Sequence, residues 1–154
     1  MELHPTVEAS VEFEQAKESL ESGKGLEALV HLEKALSLQD NRAWHSYLGY
    51  CIAKQRGQIK KGIELCMTSL ELERNEPAHY LNLGNIYLLS GNKSEAIRVF
   101  REGMSKGDRG EIRRILERIG IRRDPVIKSL SRNNPLNRLL GILISKIGRR
   151  RQKG

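Results

Sequence analysis

Tyr80-Leu81-Asn82-Leu83-Gly84-Asn85-Ile86-Tyr87, then Ser90-Gly91-Asn92, then Ala96-Ile97-Arg98-Val99-Phe100: these segments decide how the chain folds. Tyr80, Leu83, Gly84 and Tyr87 recur at i, i+3, i+4 and i+7, which is one face of a helix. That helix opens near Ala78. Gly91 suits the left-handed backbone that commonly follows a helix, so the chain reverses there. A second helix runs from about Lys93 to Ser105, with Ala96, Ile97, Phe100, Gly103 and Met104 facing inward. The segments read as one helical hairpin.

The hairpin recurs upstream. Gly23, Gly57 and Gly91 are spaced by 34 residues, and five more columns keep that period. They are Ala28, Gly62 and Ala96; Leu29, Ile63 and Ile97; Leu32, Cys66 and Phe100; Ala35, Ser69 and Gly103; Leu36, Leu70 and Met104. In the second copy Trp44, Leu48, Cys51 and Ile52 face inward. Its first helix or turn holds one extra residue, because Gly49 and Gly84 are 35 apart. The first copy has a weaker first helix, with Phe13, Ala16 and Leu20 as its inward side chains. A glycine inside a helix costs about 1 kcal/mol relative to alanine. Close approach of paired helices explains Gly49, Gly62, Gly84 and Gly103, and Trp44, Tyr80, Tyr87 and Phe100 fill the space between. One hairpin cannot bury its apolar stripe by itself, so neighbours stack.

Composition agrees with helix. Leu, Glu, Lys, Arg and Ala are common, there are four prolines, and aromatics at 5% are too few for a β-sandwich. Cys51 and Cys66 are too far apart for a CxxC pair and too few for a disulfide scaffold, so both read as reduced and buried in a cytoplasmic protein. The start of the chain lacks the basic and apolar regions of a signal peptide. No apolar run approaches the roughly 20 residues of a membrane-spanning helix. The net charge of +8 is uneven: residues 1–108 carry 13 Lys+Arg against 16 Asp+Glu, whereas residues 109–154 carry 14 against 3. The two ends should meet different partners.

Tyr80-x2-Leu83-Gly84-x2-Tyr87, Gly91 and Ala96-x3-Phe100 resemble the signature of the tetratricopeptide repeat (TPR) family. The likeness extends over about residues 8–108. It is good in the second copy and partial in the first, where Gln15 and Ala16 replace the usual Leu-Gly pair. The family's closing Pro is replaced by Asp40, Arg74 and Asp108. The resemblance implies an all-α fold, an α-solenoid of about three TPR hairpins (8–41, 42–75 and 76–108). First helices would then line a concave groove that binds a peptide or protein surface. Its candidate lining is Phe13, Lys17, Ser46, Tyr47, Tyr50, Lys54, Leu81, Asn82, Asn85 and Leu89. Tyr and Asn combine contact area or amide hydrogen bonds with a low ordering cost. Some members clamp a peptide's terminal carboxylate with Lys, Arg and Asn. Lys17, Asn82 and Asn85 match in part, but the second copy offers tyrosines, so that clamp is not expected. The resemblance suggests a small bacterial TPR-domain protein.

The last third has a different character. Asp108 and Glu111 frame a capping box, and Ile112, Ile115, Leu116 and Ile119 give a helix over 109–120 that caps the third repeat. Its outer face carries Arg113, Arg114 and Arg118, followed by Arg122 and Arg123. Within the basic extension 121–154, Asn134 and Pro135 start an amphipathic helix over about 134–148. Its stripe of Leu136, Leu139, Leu140, Leu143 and Ile147 must pack on the solenoid, form a homodimer, or lie on an anionic membrane with Arg149, Arg150 and Arg151 at the headgroups.

The chain contains no GxSxG, HExxH, P-loop or GxGxxG motif. The reading is therefore not an enzyme: no catalytic residue, no metal and no cofactor are expected. His45 and His79 lie one period apart and would at most face the same way. Basic residues can neutralise phosphates, yet no aromatics interleave with these arginines as single-strand stacking requires. The sequence thus favours a scaffold binding another protein or peptide through the groove, with a peripheral nucleic-acid or anionic-membrane binder using the basic end as the alternative.

Overall fold

The computed structural model describes residues 4–107 and 110–119. Among these residues it has seven α-helices: α1 (Pro5–Glu21), α2 (Gly25–Leu38), α3 (His45–Arg56), α4 (Ile59–Leu72), α5 (Pro77–Leu89), α6 (Lys93–Lys106) and α7 (Gly110–Arg118). A one-turn 3-10 helix, Arg42–Trp44, leads into α3. Asp108 of the capping box and the whole 121–154 extension, with its 134–148 helix, lie outside the described residues.

The helices pair as α1 with α2, α3 with α4 and α5 with α6, and each hairpin packs on the next. The three turns share one device. Gly23, Gly57 and Gly91 hold φ of 75°, 68° and 78°, the left-handed region that L side chains rarely adopt. The extra residue of the second copy sits in the last turn of α3. There Gly57 itself caps the helix, whereas Ser22 and Ser90 precede the glycine in the other copies. At its other end α3 begins as the 3-10 turn. Asn41 accepts a hydrogen bond from the Ala43 N–H, as Glu76 accepts one from the Ala78 N–H ahead of α5.

Helix pairing explains the small residues. A Cβ on Gly49 would come within 2.5 Å of the Gly62 carbonyl oxygen, and one on Gly62 within 2.6 Å of the Gly49 oxygen. In the third hairpin a Cβ on Gly84 would collide with the Phe100 ring. Phe100 is fully buried, so the ring and the missing side chain are complementary halves of one contact. The core forms three clusters, one around Leu29, Leu32 and Trp44, one around Cys66, Tyr80 and Ile86, and one around Phe100 and Ile112. Ile112, Ile115 and Leu116 of α7 are buried in the last, so α7 covers apolar surface left by α6. Periodicity places Tyr87 squarely inward. Instead it is half-buried, spanning the second and third clusters near the end of α5. Truncating it should therefore cost less than the roughly 3–5 kcal/mol of a fully enclosed aromatic.

Cys51 and Cys66 are free and buried. Burial pushes both thiols up, Cys51 to about 12, so neither is a ready thiolate at neutral pH. No helix among the described residues is long and apolar enough to cross a membrane.

Candidate functional site

A groove of about 510 Å³ runs across α1, α3 and α5 and reaches the first turn of α7. Its wall is aromatic. Phe13 of α1 stacks on Trp44 with ring centroids 4.7 Å apart, and Tyr47 of α3 meets Phe13 edge-on at 5.1 Å. Tyr47 also meets the His79 ring edge-on at 6.5 Å. One aromatic contact therefore leads to the next across the three first helices, because Trp44 and His79 each open a first helix and face the preceding repeat.

Seven of the ten sequence candidates line this groove: Phe13, Lys17, Tyr47, Tyr50, Leu81, Asn82 and Asn85. Lys17, Tyr47, Tyr50, Leu81 and Asn85 are half-buried and present their remaining surface there. Lys17 extends over the Phe13 ring and pairs with Glu14 at 2.8 Å. The other three are placed elsewhere. Ser46 is fully buried beneath the groove, and Lys54 and Leu89 are exposed and outside its lining. The Lys54 ammonium donates to the Tyr50 hydroxyl at 3.3 Å, so it steadies a lining residue from the side. Asn82, although at the groove, is 5% exposed, and its amide turns toward Ser46.

That turn belongs to a buried relay that the sequence reading missed. The Asn82 amide donates to Ser46 Oγ at 3.2 Å, Ser46 Oγ is 2.8 Å from His79 Nδ1, and His79 Nε2 is 2.9 Å from a Glu73 carboxylate oxygen. With a neutral imidazole the proton order is fixed. The carboxylate can only accept, so Nε2 carries the hydrogen, Nδ1 accepts, and the Ser46 hydroxyl donates to it. The Ser46 N–H donates to Ser69 Oγ, and Ser69 donates on to the Arg42 carbonyl. The serine, histidine and carboxylate resemble a nucleophile relay only in composition. Ser46 has no solvent-facing surface and its proton is committed, so the relay fastens α3 to α5. The 34-residue spacing of His45 and His79 concealed it, because the extra residue in α3 makes Trp44 the counterpart of His79. His45 instead pairs with Asp40 at 2.9 Å. Among the described residues no cluster of His, Cys, Asp and Glu is arranged to hold a metal.

The groove edge also carries charge not anticipated from sequence. Glu21, Glu73, Glu76 and Glu111 contribute to its lining. An adjoining recess shares Tyr50, Asn85 and Glu111 with the groove and adds Arg114 and Arg118. Arg113 is exposed on α7. Arg122, Arg123, Arg149, Arg150 and Arg151 lie outside the described residues.

No family model matches the chain. It is 32% identical over 82 residues to a TPR repeat-containing protein of Methanocaldococcus jannaschii, a match covering 53% of this chain and 26% of that protein. The chain thus spans about a quarter of that relative. Its fold is similar to the N-terminal domain of stress-induced protein-1 (STI-1) from C. elegans, with a TM-score of 0.50, 16% identity, and coverage of 77% of this chain and 98% of that one.

Proposed function

We propose that this chain, whose repeats are of the tetratricopeptide type, is an interaction module that holds a segment of another protein in the groove across α1, α3 and α5. The observation that carries the reading is the aromatic wall. Phe13 of α1, Trp44 of the 3-10 turn, and Tyr47 and Tyr50 of α3 line one open groove with Asn85. Tyr and Trp offer large contact area with few torsions to freeze, and Asn85 supplies both halves of an amide hydrogen bond.

Site-specific photocrosslinking in the source cell tests it. A crosslinking residue at Asn85 is expected to capture a discrete partner protein, and one at Lys60, exposed on α4, is not. Capture from Lys60 with none from Asn85 would move the binding face to the second helices.

A second reading rests on the charge of residues 109–154, where Lys and Arg outnumber Asp and Glu by 14 to 3. It assigns binding to nucleic acid or an anionic membrane, or self-association through the 134–148 stripe. Binding abolished by removing residues 148–154, with a steep salt dependence, would support the charge-driven branch. A mass in solution that falls by half on removing 134–154 would support the dimer.

A further inference from the structure

We infer that the groove selects a cationic protein segment with at least one apolar or aromatic side chain. This rests on the groove reading above and names the chemistry of the partner. Among the described residues that line the groove, Glu21, Glu73, Glu76 and Glu111 bring carboxylates and one lysine, Lys17, brings an ammonium that is already paired with Glu14. Two of these carboxylates are held in place by the fold. Glu73 accepts from the buried His79 imidazole, and Glu76 accepts from the Ala78 N–H at the start of α5. Little side-chain freedom is left for a ligand to freeze at either.

Glu21 has no such structural task. It sits in the last turn of α1, which has no basic residue. A carboxylate there opposes the negative end of the helix dipole. The position disfavours α1 and suits a cation lying across the groove. The aromatic wall provides the rest of the fit, because the half-buried Tyr47 and Tyr50 can receive both apolar side chains and a Lys ammonium or Arg guanidinium. Arg114 and Arg118 sit apart in the adjoining recess on α7. Like-charge repulsion there keeps the positive part of the segment over α1, α3 and α5 and so sets its register. An anionic segment would meet repulsion over most of the groove.

The test selects a phage-displayed library of random peptides on the full chain and measures the enriched peptides, synthesised with a fluorophore, by anisotropy. Enriched peptides are expected to carry net positive charge and an aromatic or large apolar residue. Their affinity should fall steeply from about 0.01 to 1 M salt, as the screening length drops from about 30 to about 3 Å. Glu21→Gln/Glu111→Gln, which spares the two fold-bearing carboxylates, should weaken them about 4- to 25-fold, at roughly two- to fivefold per exposed charge contact. Tyr50→Ala/Asn85→Ala should abolish binding, and amide spectra of the unaltered chain should shift around Tyr47, Tyr50 and Asn85 on titration. Neutral or acidic peptides that shift those same residues would overturn the charge inference and leave the groove reading standing. Cationic peptides that shift none of them, or a library yielding no binder, would overturn the groove reading itself.

Discussion

The first and third hairpins solve one packing problem in two ways. In the third, Gly84 admits the Phe100 ring against its backbone, and the pair closes by shape. In the first, Ala16 stands in the place of Gly84 and Leu32 in that of Phe100, both fully buried, so an alkyl side chain takes the position of the ring. What remains is closed by charge. Glu12 of α1, 8% exposed, takes a 2.7 Å hydrogen bond from His31 and a short one from Lys34, both on α2, and Lys34 reaches Glu8 at 3.3 Å as well. The same backbone hairpin therefore stands on apolar complementarity at one end of the stack and on an ionic clasp at the other. Repeat character weakens in sequence where the stabilising chemistry has changed.

Four measurements sharpen or break that contrast, all by denaturant unfolding. Phe100→Ala, in the same repeat column as Leu32, should cost about 3–5 kcal/mol, because the ring is enclosed on every side. Leu32→Ala removes a smaller but equally buried side chain and should cost about 2–4 kcal/mol. Equal losses would mean that the ring has no special part in the third hairpin. Gly84→Ala should cost about 1–3 kcal/mol through overpacking, and much less in a Phe100→Leu background. Additive effects would separate the two residues. Glu12→Gln should cost about 1–2 kcal/mol at neutral pH.

The last of these has a pH signature. Hydrogen bonds from His31 and then Lys34 hold the Glu12 carboxyl below its ordinary value of 4.5. On acidification the unfolded chain takes up this proton first. The stability from Glu12 is therefore present above about pH 4.5 and drains as pH falls through the lower folded-state value. The acid limb of the unaltered chain should be steeper than that of Glu12→Gln, and the two should converge once the pH lies below the folded-state value and both side chains are uncharged. Parallel acid limbs would remove Glu12 from the clasp.

Much of this was legible in the amino-acid string, and the limits have physical causes. Helical period, the positive-φ glycines and the small-residue contacts show in the sequence because each constrains one residue type at one position. Tyr47, Tyr50 and Asn85 were placed at the groove by the same register. Ser46 lies beneath the groove and Asn82 lines it with its amide turned inward, because a polar residue on a first helix can serve a ligand or a neighbouring helix. Only the packing of α5 on α3 shows that these two serve each other. Tyr87 was read too far inward because helical spacing reports direction, not how near the helix end a residue sits. The carboxylates at the groove came from three separate places in the chain: the end of α1, the segment before α5, and α7. No local pattern joins them. The ionic clasp hid in an ordinary acidic helix face, since Glu8 and Glu12 look no different from Glu14 and Glu18 until α2 is laid against them.

The relay from Asn82 through Ser46 and His79 to Glu73 also makes the protein its own spectroscopic probe. His79 is 2% exposed, yet one of its ring nitrogens bonds a carboxylate at the groove. A positive charge settling near Glu73 competes for that carboxylate, and the imidazole registers the change in the nitrogen shifts and proton-exchange rate of a ring no solvent reaches. Labelled histidine would therefore report occupancy of the groove with no dye attached and no residue altered.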